Sequence, residues 1–382
     1  MMNAEVKYKE LFRTLRMRIL SGEMDTRERF PSEVQLMRKY SVSRNTVRAA
    51  LDELKRSGMI ETRNGAGTFL TTAAKHATGL LGIIVPGIAS GEIFPRICTE
   101  FTRLARNEGY TTIFGDASSS DPLVRDTQAL RLAHDYVRKN VAGVLFEPLE
   151  LTPNAQETTA DIINLLDRHH IPVVLIDRDI TQPSGRSKYD LVGIDNIRAG
   201  QQLANHVIEL GAKNIHVLIR PGSAPTVFKR AQGVRNAVLD AGLKWGKKHV
   251  HVEDPADLTA IKNQLVAAKA DAIVCGNDST AAKLLETLRH LQAAVPDDIM
   301  VTGVDDVRLA SAVTPHLTTL RQPCEQLAKA AFSILIQRIR NPHQAPCETL
   351  LDAEIIVRGS TVKQLSRLRP LKTRRAAHGS DH

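Results

Sequence analysis

The sequence predicts an α/β chain: a small helical head that ends in a hairpin, then a long body of parallel sheets flanked by helices. Three observations carry this. Residues 7–70 hold three helical stretches and a glycine-turned hairpin. From residue 80 onward, short apolar strand-like runs alternate with helical segments. The 382 residues suffice for two or three domains with a sizeable core.

In the head, Tyr8, Leu11, Phe12, Leu15 and Ile19 recur at helical spacing, and Gly22 stops that helix. Ser32 can cap a second helix, with Gln35 three residues on completing a capping-box pattern. Ser43 caps a third, in which Val47, Ala50, Leu51 and Leu54 form one apolar stripe. Asn45, Arg48 and Asp52 fall on the opposite side, and Arg44 projects from the first turn. Residues 60–62 and 68–70 are short strands around Asn64-Gly65, a strong hairpin signal because that turn needs positive φ. Two arginines at the start of a helix, close to its N-terminal dipole, suit base edges and phosphates. The head therefore reads as a DNA-contacting module.

A small, polar linker follows over 71–78. Strand-like runs then come at 81–85, 112–114, 144–146, 173–176, 215–218, 272–274 and 300–302, with helical segments such as 96–108, 123–139, 198–210 and 279–291 between them. This is the pattern of parallel sheets with helices on both faces. Ligands of such sheets bind where strands end, which directs attention to the residues just after each strand.

Charge supports the division. The net charge is +9, and residues 1–75 carry 15 Lys and Arg against 9 Asp and Glu. Residues 363–382 carry 6 against 1, so the intervening body is close to neutral. A basic first end suggests nucleic acid. The basic tail has little apolar company and reads as disordered. Cys98, Cys275, Cys324 and Cys347 are widely spaced, with neither metal-ligand nor disulfide-framework spacing. No signal-peptide pattern and no membrane-length apolar run is seen, so a cytoplasmic protein without membrane contact is expected. His169-His170 reads as a solvated turn and Trp245 as a loop anchor. No phosphate-binding loop, nucleophile elbow or metal-binding helix stands out, so no cofactor, metal or catalytic residue is expected.

The first 70 residues resemble the winged helix-turn-helix of GntR-family bacterial regulators. The matching residues are Tyr8, Leu20-Ser21-Gly22, Pro31-Ser32-Glu33, the run Ser43-Arg44-Asn45-Thr46-Val47-Arg48, Ala50-Leu51, Leu54, Gly58 and Gly65-Ala66-Gly67-Thr68-Phe69. The resemblance implies that Arg44, Asn45, Thr46 and Arg48 meet DNA and that Gly65 forms the wing tip. Val34 stands where some family members place another DNA-contacting arginine.

Residues 80–358 resemble the effector domain of LacI-type repressors and related periplasmic sugar-binding proteins. The likeness rests on runs such as 81–86, 143–148, 171–174 and 192–196, then 211–215, 229–233, 275–278, 304–306 and 317–323. The hinge-helix motif of LacI proteins is missing. A GntR head on a LacI-like body is most similar to the arabinose-repressor (AraR) group, and Ile93-Phe94-Pro95 fits that group as well. The resemblance implies a two-lobed body. The first lobe would take 80–190 and 323–347, the second 191–321 and 350–358, with three crossings and a ligand cleft between them. It also implies a polyol pocket. Arg230 would donate a forked pair of hydrogen bonds, Asp305 would accept from hydroxyls, and Asn277 and Gln322 would do both. The alternative for Asp305 and Asn277 is turn capping after strands, to which Asp and Asn are suited. Glu150 lies near a family carboxylate position, and Phe94 and Phe228 could stack on sugar C–H faces. Arg178, after another strand, either reaches the pocket or forms an internal salt bridge.

These readings combine into four segments. Residues 1–71 form the winged helix-turn-helix DNA-binding domain and 72–79 the linker. Residues 80–358 form the sugar-binding effector domain and 359–382 the basic tail. The expected function is a repressor of sugar uptake and catabolism genes, released from double-stranded operator DNA by a small sugar, L-arabinose or a relative. One winged helix covers little DNA, so a homodimer on a two-fold operator is expected. The rival expectations are a soluble sugar receptor without specific DNA binding and a sugar-modifying enzyme.

Overall fold

The computed structural model describes residues 4–20, 24, 29–63, 66–71, 79–86, 93–115, 117, 119, 121–180 and 185–362. Gly22, the hairpin tip Asn64-Gly65, the linker up to residue 78 and the tail from 363 lie outside the described residues.

The head is built from α1 (Ala4–Leu20), α2 (Glu33–Tyr40), α3 (Arg44–Arg56) and the antiparallel pair β1 (Ile60–Arg63) and β2 (Gly67–Leu70). Leu11, Leu15, Leu36, Val47, Ala50 and Leu54 are buried together, as the helical spacing predicts. Ser32 makes the full capping box with Gln35. A backbone hydrogen bond from Phe30 N–H to Thr68 O (2.7 Å) fixes the entry to α2 against β2.

The body has two six-stranded sheets. The first runs β13-β7-β6-β5-β3-β4, all parallel: β3 (Leu80–Ile84), β4 (Thr111–Phe114), β5 (Gly143–Phe146), β6 (Val173–Ile176), β7 (Asp190–Ile194) and β13 (Glu348–Leu351). Helices α4 (Ile93–Asn107), α5 (Pro122–Arg138) and α6 (Ala155–Arg168) link its strands. The second runs β14-β12-β11-β10-β8-β9: β8 (Ile215–Ile219), β9 (Val250–Val252), β10 (Ala272–Cys275), β11 (Met300–Asp305), β12 (Thr318–Arg321) and β14 (Glu354–Ile356). Only β14 is antiparallel to its neighbour. Its helices are α7 (Asn196–Glu209), α8 (Pro225–Asp240), the short α9 (Leu258–Ile261), α10 (Asp278–His290) and α11 (Arg308–Ala312). The long α12 (Cys324–Arg340) returns to the first lobe and packs on α4, with Phe101 and Phe332 edge to face.

The chain crosses between lobes three times, the second crossing where expected and the first and third a few residues later. β7 and β13 both pair in the first sheet, so the crossings fall after 194, after 321 and after 351. A fully buried parallel strand is apolar on both faces, so its composition does not say which sheet it joins.

Two contacts set the geometry that matters below. Helices α7 and α8 approach so closely that a Cβ on Gly200 would lie 2.0 Å from Arg230 O, and one on Gly233 1.9 Å from Ile197 O. The head also touches the first lobe. Arg16 of α1 is 1% exposed, donates from Nη1 to Glu108 Oε2 at 2.8 Å and stacks over Tyr110 at 4.5 Å.

The glycine contact gives a test. Alanine at 233 would bring roughly 1 kcal/mol of helix propensity. Yet its methyl meets backbone, which cannot swing away as a side chain can. Gly233→Ala is therefore expected to lower stability by a net ~1–3 kcal/mol, read from chemical denaturation. Unchanged stability would mean that α7 and α8 can separate freely.

Candidate functional site

The exposed face of the head starts at Ser43. Its hydroxyl accepts from Thr46 N–H at 3.3 Å and lies 2.9 Å from the Thr46 hydroxyl, which starts α3 and leaves Thr46 buried. Thr46 thus serves the cap, whereas Arg44, Asn45 and Arg48 are exposed. Arg44 Nε and Arg48 Nε both donate to Glu33 at the start of α2, at 2.8 and 3.1 Å. Those two bonds, Arg44's first, hold the Glu33 carboxyl below the usual carboxylate range. Glu33 thereby gathers two guanidinium groups at the N-terminus of one helix. Pairs this exposed are worth at most about 1 kcal/mol each, so a phosphate or a guanine edge can displace the carboxylate at little cost. Val34 stands exposed beside them.

In the body, the candidate residues follow strand ends. Arg230 is nearly buried on α8; its Nε donates to Asn196 Oδ1 at 2.7 Å and its Nη1 to Gly276 O, just past β10. Asp305 ends β11, and its Oδ1 accepts from Gln322 Nε2 at 2.8 Å, just past β12. Burial pushes the Asp305 carboxyl up to about 6, against the pull of Arg230 and Gln322 and with Asp177 and Glu150 adding repulsion. Asp177 and Glu150 belong to the first lobe, so opposing lobes feel each other's charge here.

From the first lobe comes a second buried cation. Arg178, 3% exposed, follows β6. It pairs with Glu147 at the end of β5, with Asp177 Oδ2 at 3.0 Å and with Glu150 Oε1 at 3.1 Å. Desolvation opposes the charge on Arg178, but the carboxylates of Glu150, Glu147 and Asp177 outweigh it and raise its pKa. Burial also raises Glu147 well above the carboxylate range.

Arg230, Asp305 and Gln322 thus converge. Asn277 directly follows Gly276, which accepts from Arg230, but its Oδ1 caps α10 by accepting from Thr280 N–H (2.9 Å) and the Thr280 hydroxyl (2.7 Å). Arg178 takes the internal salt bridge of its two alternatives. Glu150 joins it and reaches to the other lobe, where its Oε2 accepts from Ala224 N–H at 2.9 Å. Phe94 is half-buried and packs against the apolar core, whereas Phe228 is exposed on α8.

Asn196, Glu147 and Asp278 escaped sequence reasoning. Asn196 orients Arg230. Asp278 is buried and accepts from the Thr319 hydroxyl (2.5 Å) and Val307 N–H (3.0 Å), tying β12 to the loop that carries Asp305. Burial raises it to about 8. An Asn-Asp pair after an apolar run was the available signal.

Backbone strain marks the same place. Of the nine non-glycine residues with positive φ among the described residues, Leu151 and Asp177 lie in the segments after β5 and β6, and Asp305 and Asp306 at the end of β11. Each costs on the order of 1–3 kcal/mol, strain that concentrates at ligand clamps and switches.

Asp305 yields a pH test. Its folded value of about 6 stands above the ordinary 3.8, so the folded chain binds the proton more tightly than the unfolded one. The ionised carboxylate therefore costs stability above pH 6, and that cost disappears as pH falls through 6 toward 3.8. Asp305→Asn keeps an acceptor for Gln322. It is expected to melt higher than the parent at pH 7.5, with the gain shrinking toward pH 4. A melting-point difference that is flat with pH would mean that Asp305 titrates as an ordinary surface carboxylate.

Comparison with known proteins agrees with this architecture. Residues 7–70 match the bacterial regulatory proteins of the gntR family, and residues 204–361 match a periplasmic binding protein-like domain. The chain is 29% identical over 376 residues to the arabinose metabolism transcriptional repressor of Geobacillus stearothermophilus, covering 93% of this chain and 97% of that one. It is 33% identical over 242 residues to the transcriptional repressor PurR of Vibrio parahaemolyticus, covering 61% and 69%. Among solved structures, the regulator CelR bound to cellobiose is 21% identical with a TM-score of 0.63, over 90% of this chain and 99% of that one. A LacI family regulator from Enterococcus faecium with bound ribose is 21% identical with a TM-score of 0.59, over 74% and 98%. The chain belongs to the bacterial transcription regulators that join a gntR-family DNA-binding head to a periplasmic-binding-protein-like effector domain of the LacI type.

Proposed function

We propose that this repressor binds operator DNA through Arg44, Asn45 and Arg48 and lets go when a small sugar fills the cleft. The observation that carries the reading is the convergence of Arg230, Asp305 and Gln322 at the strand ends of the second lobe, opposite Asp177 and Glu150 of the first. A planar cation beside carboxylate and amide groups offers donors and acceptors at the spacing of vicinal hydroxyls. On this reading Arg230 Nη2 and the second oxygen of Asp305 would meet the sugar. The relative from Geobacillus stearothermophilus is named for arabinose metabolism, and the regulator from Enterococcus faecium holds ribose. Both favour an aldopentose, with L-arabinose the first to try. Target genes for uptake and catabolism of that sugar follow from the same reading.

The switch requires that sugar bind one lobe arrangement better than the other. A homodimer turns that difference into a change of spacing between two heads on a two-fold site.

Two measurements test the proposal. The first is a melting-point screen against pentoses and hexoses, since a ligand that binds only the folded state raises the transition. The second titrates a duplex selected by the protein from a random pool, with and without the sugar found. Asp305→Ala is expected to hold the duplex as the parent does and to ignore the sugar. Release at the parent's sugar concentration would place the pocket elsewhere, and tighter parental binding with sugar would reverse the sign of the switch. Arg48→Ala is expected to lose about 1–3 kcal/mol of duplex affinity while its sugar-induced melting shift stays intact. Full affinity at moderate salt would remove Arg48 from the interface.

A further inference from the structure

We propose that Glu150 is a latch that holds the cleft closed across the two lobes, and that it is a positioning residue, not a sugar contact. The carboxylate has both oxygens committed. Oε1 pairs with Arg178 of the first lobe, and Oε2 accepts Ala224 N–H at the start of α8 in the second. Helix α8 needs such a partner. Its N-cap residue, Ala224, makes no side-chain cap bond, and a carboxylate at a 16-residue helix's N-terminus is favoured by its dipole.

The neighbouring residues repeat the connection in backbone. Leu151 N–H donates to Gly222 O across the same gap at 3.3 Å. Leu151 adopts φ +58 and Gly222 φ +79 to allow it, and a Cβ on Gly222 would already touch Leu151 at 3.7 Å. Two loops from different lobes thus take up uncommon backbone conformations where they meet. Strain of that kind persists only when surrounding contacts hold it.

The cation behind the latch gives it direction. Arg178 also pairs with Glu147 and Asp177, so the first-lobe partner of Glu150 is held by further contacts. When the lobes part, Oε2 returns to water and α8 loses its carboxylate. The latch therefore raises the share of closed protein before any ligand arrives. A ligand that needs the closed form binds more tightly by that share. This effect on sugar and DNA rests on the function proposed above, whereas the latch itself does not.

Amide hydrogen exchange on the full-length, sugar-free protein reads the latch directly. The amides of Leu151 and Ala224 are expected to be protected in the parent. Glu150→Ala should speed both by at least about tenfold and leave β5, β8 and β10 at parental rates. Glu150→Gln retains an oxygen acceptor and should restore part of the protection. Solution scattering should show a larger radius of gyration for Glu150→Ala than for the parent. Parental exchange rates in Glu150→Ala, or acceleration spread evenly over both sheets, would overturn the latch. Under a direct-contact role, Glu150→Ala would weaken sugar binding with no change in sugar-free exchange, which overturns it equally. If L-arabinose leaves the parent's melting and DNA binding untouched while the exchange pattern holds, the latch stands and L-arabinose falls as the effector.

Discussion

Two guanidinium groups, Arg178 and Arg230, sit almost out of water at the ends of parallel strands, and much of the body is arranged to satisfy them. Burying a cation costs several kcal/mol unless partners replace its hydration. A guanidinium accepts that replacement only in its own plane, from groups at fixed angles. Arg230 draws on Asn196 at the start of α7 and on Gly276 beyond β10. Those partners can stand together only if α7 and α8 lie nearly backbone to backbone, which Gly200 and Gly233 permit. Arg178 draws on the ends of β5 and β6 and on the loop that reaches the opposite lobe. The cleft is thus a set of polar groups already oriented, and a ligand that fits loses little to reorganisation.

A different buried cation joins head to body. Arg16 has one strong bond, to Glu108, and an aromatic face, Tyr110, while its Nε and Nη2 are buried without a hydrogen-bond partner. An unsatisfied buried donor costs about 1–3 kcal/mol, so this contact is weakened by what it leaves unpaired. Coupling between sites requires an element with two arrangements of similar energy. A well-satisfied contact would lock the head, and none at all would leave it deaf to the lobes. Arg16 lies between those extremes, on the helix that packs directly against α3.

Much of this was readable in the sequence, and what was not has a physical reason. Ser32 and Ser43 announced their helices because capping is local chemistry over three residues. The strand-end positions of Asp305 and Gln322 followed from apolar runs and from family likeness, and the choice of Arg230 on α8 from family likeness alone. The crossings after 194 and 351 did not, because a strand buried on both faces looks alike in either sheet. Thr46 lies on the helical turn that faces DNA in the family pattern, yet its hydroxyl goes to the cap, a choice made by rotamer and not by spacing. Asn277 likewise spends its oxygen on Thr280. Phe94 is half-buried against the core, a placement that the sequence pattern left open. Asn196 and Glu147 were invisible because their importance lies entirely in the arginines that meet them from distant parts of the chain.

The two functional regions use the same pair of groups, guanidinium and carboxylate, to opposite effect, and burial decides which. At the head, Glu33 holds Arg44 and Arg48 in the open, where water and salt screen the attraction. Such a pair orients the arginines and still yields to a polyanion. In the cleft, Arg178 is shut among carboxylates where screening is weak, so the same chemistry becomes a fixed post. Exchange of partners is what a DNA interface requires, and fixity is what a cleft must have if small differences in lobe position are to be felt at a distance. The Arg16 guanidinium is buried as deeply as the cleft arginines, yet two of its nitrogens stay unpaired, so its contact between head and first lobe is neither the open pair of the head nor the fixed post of the cleft.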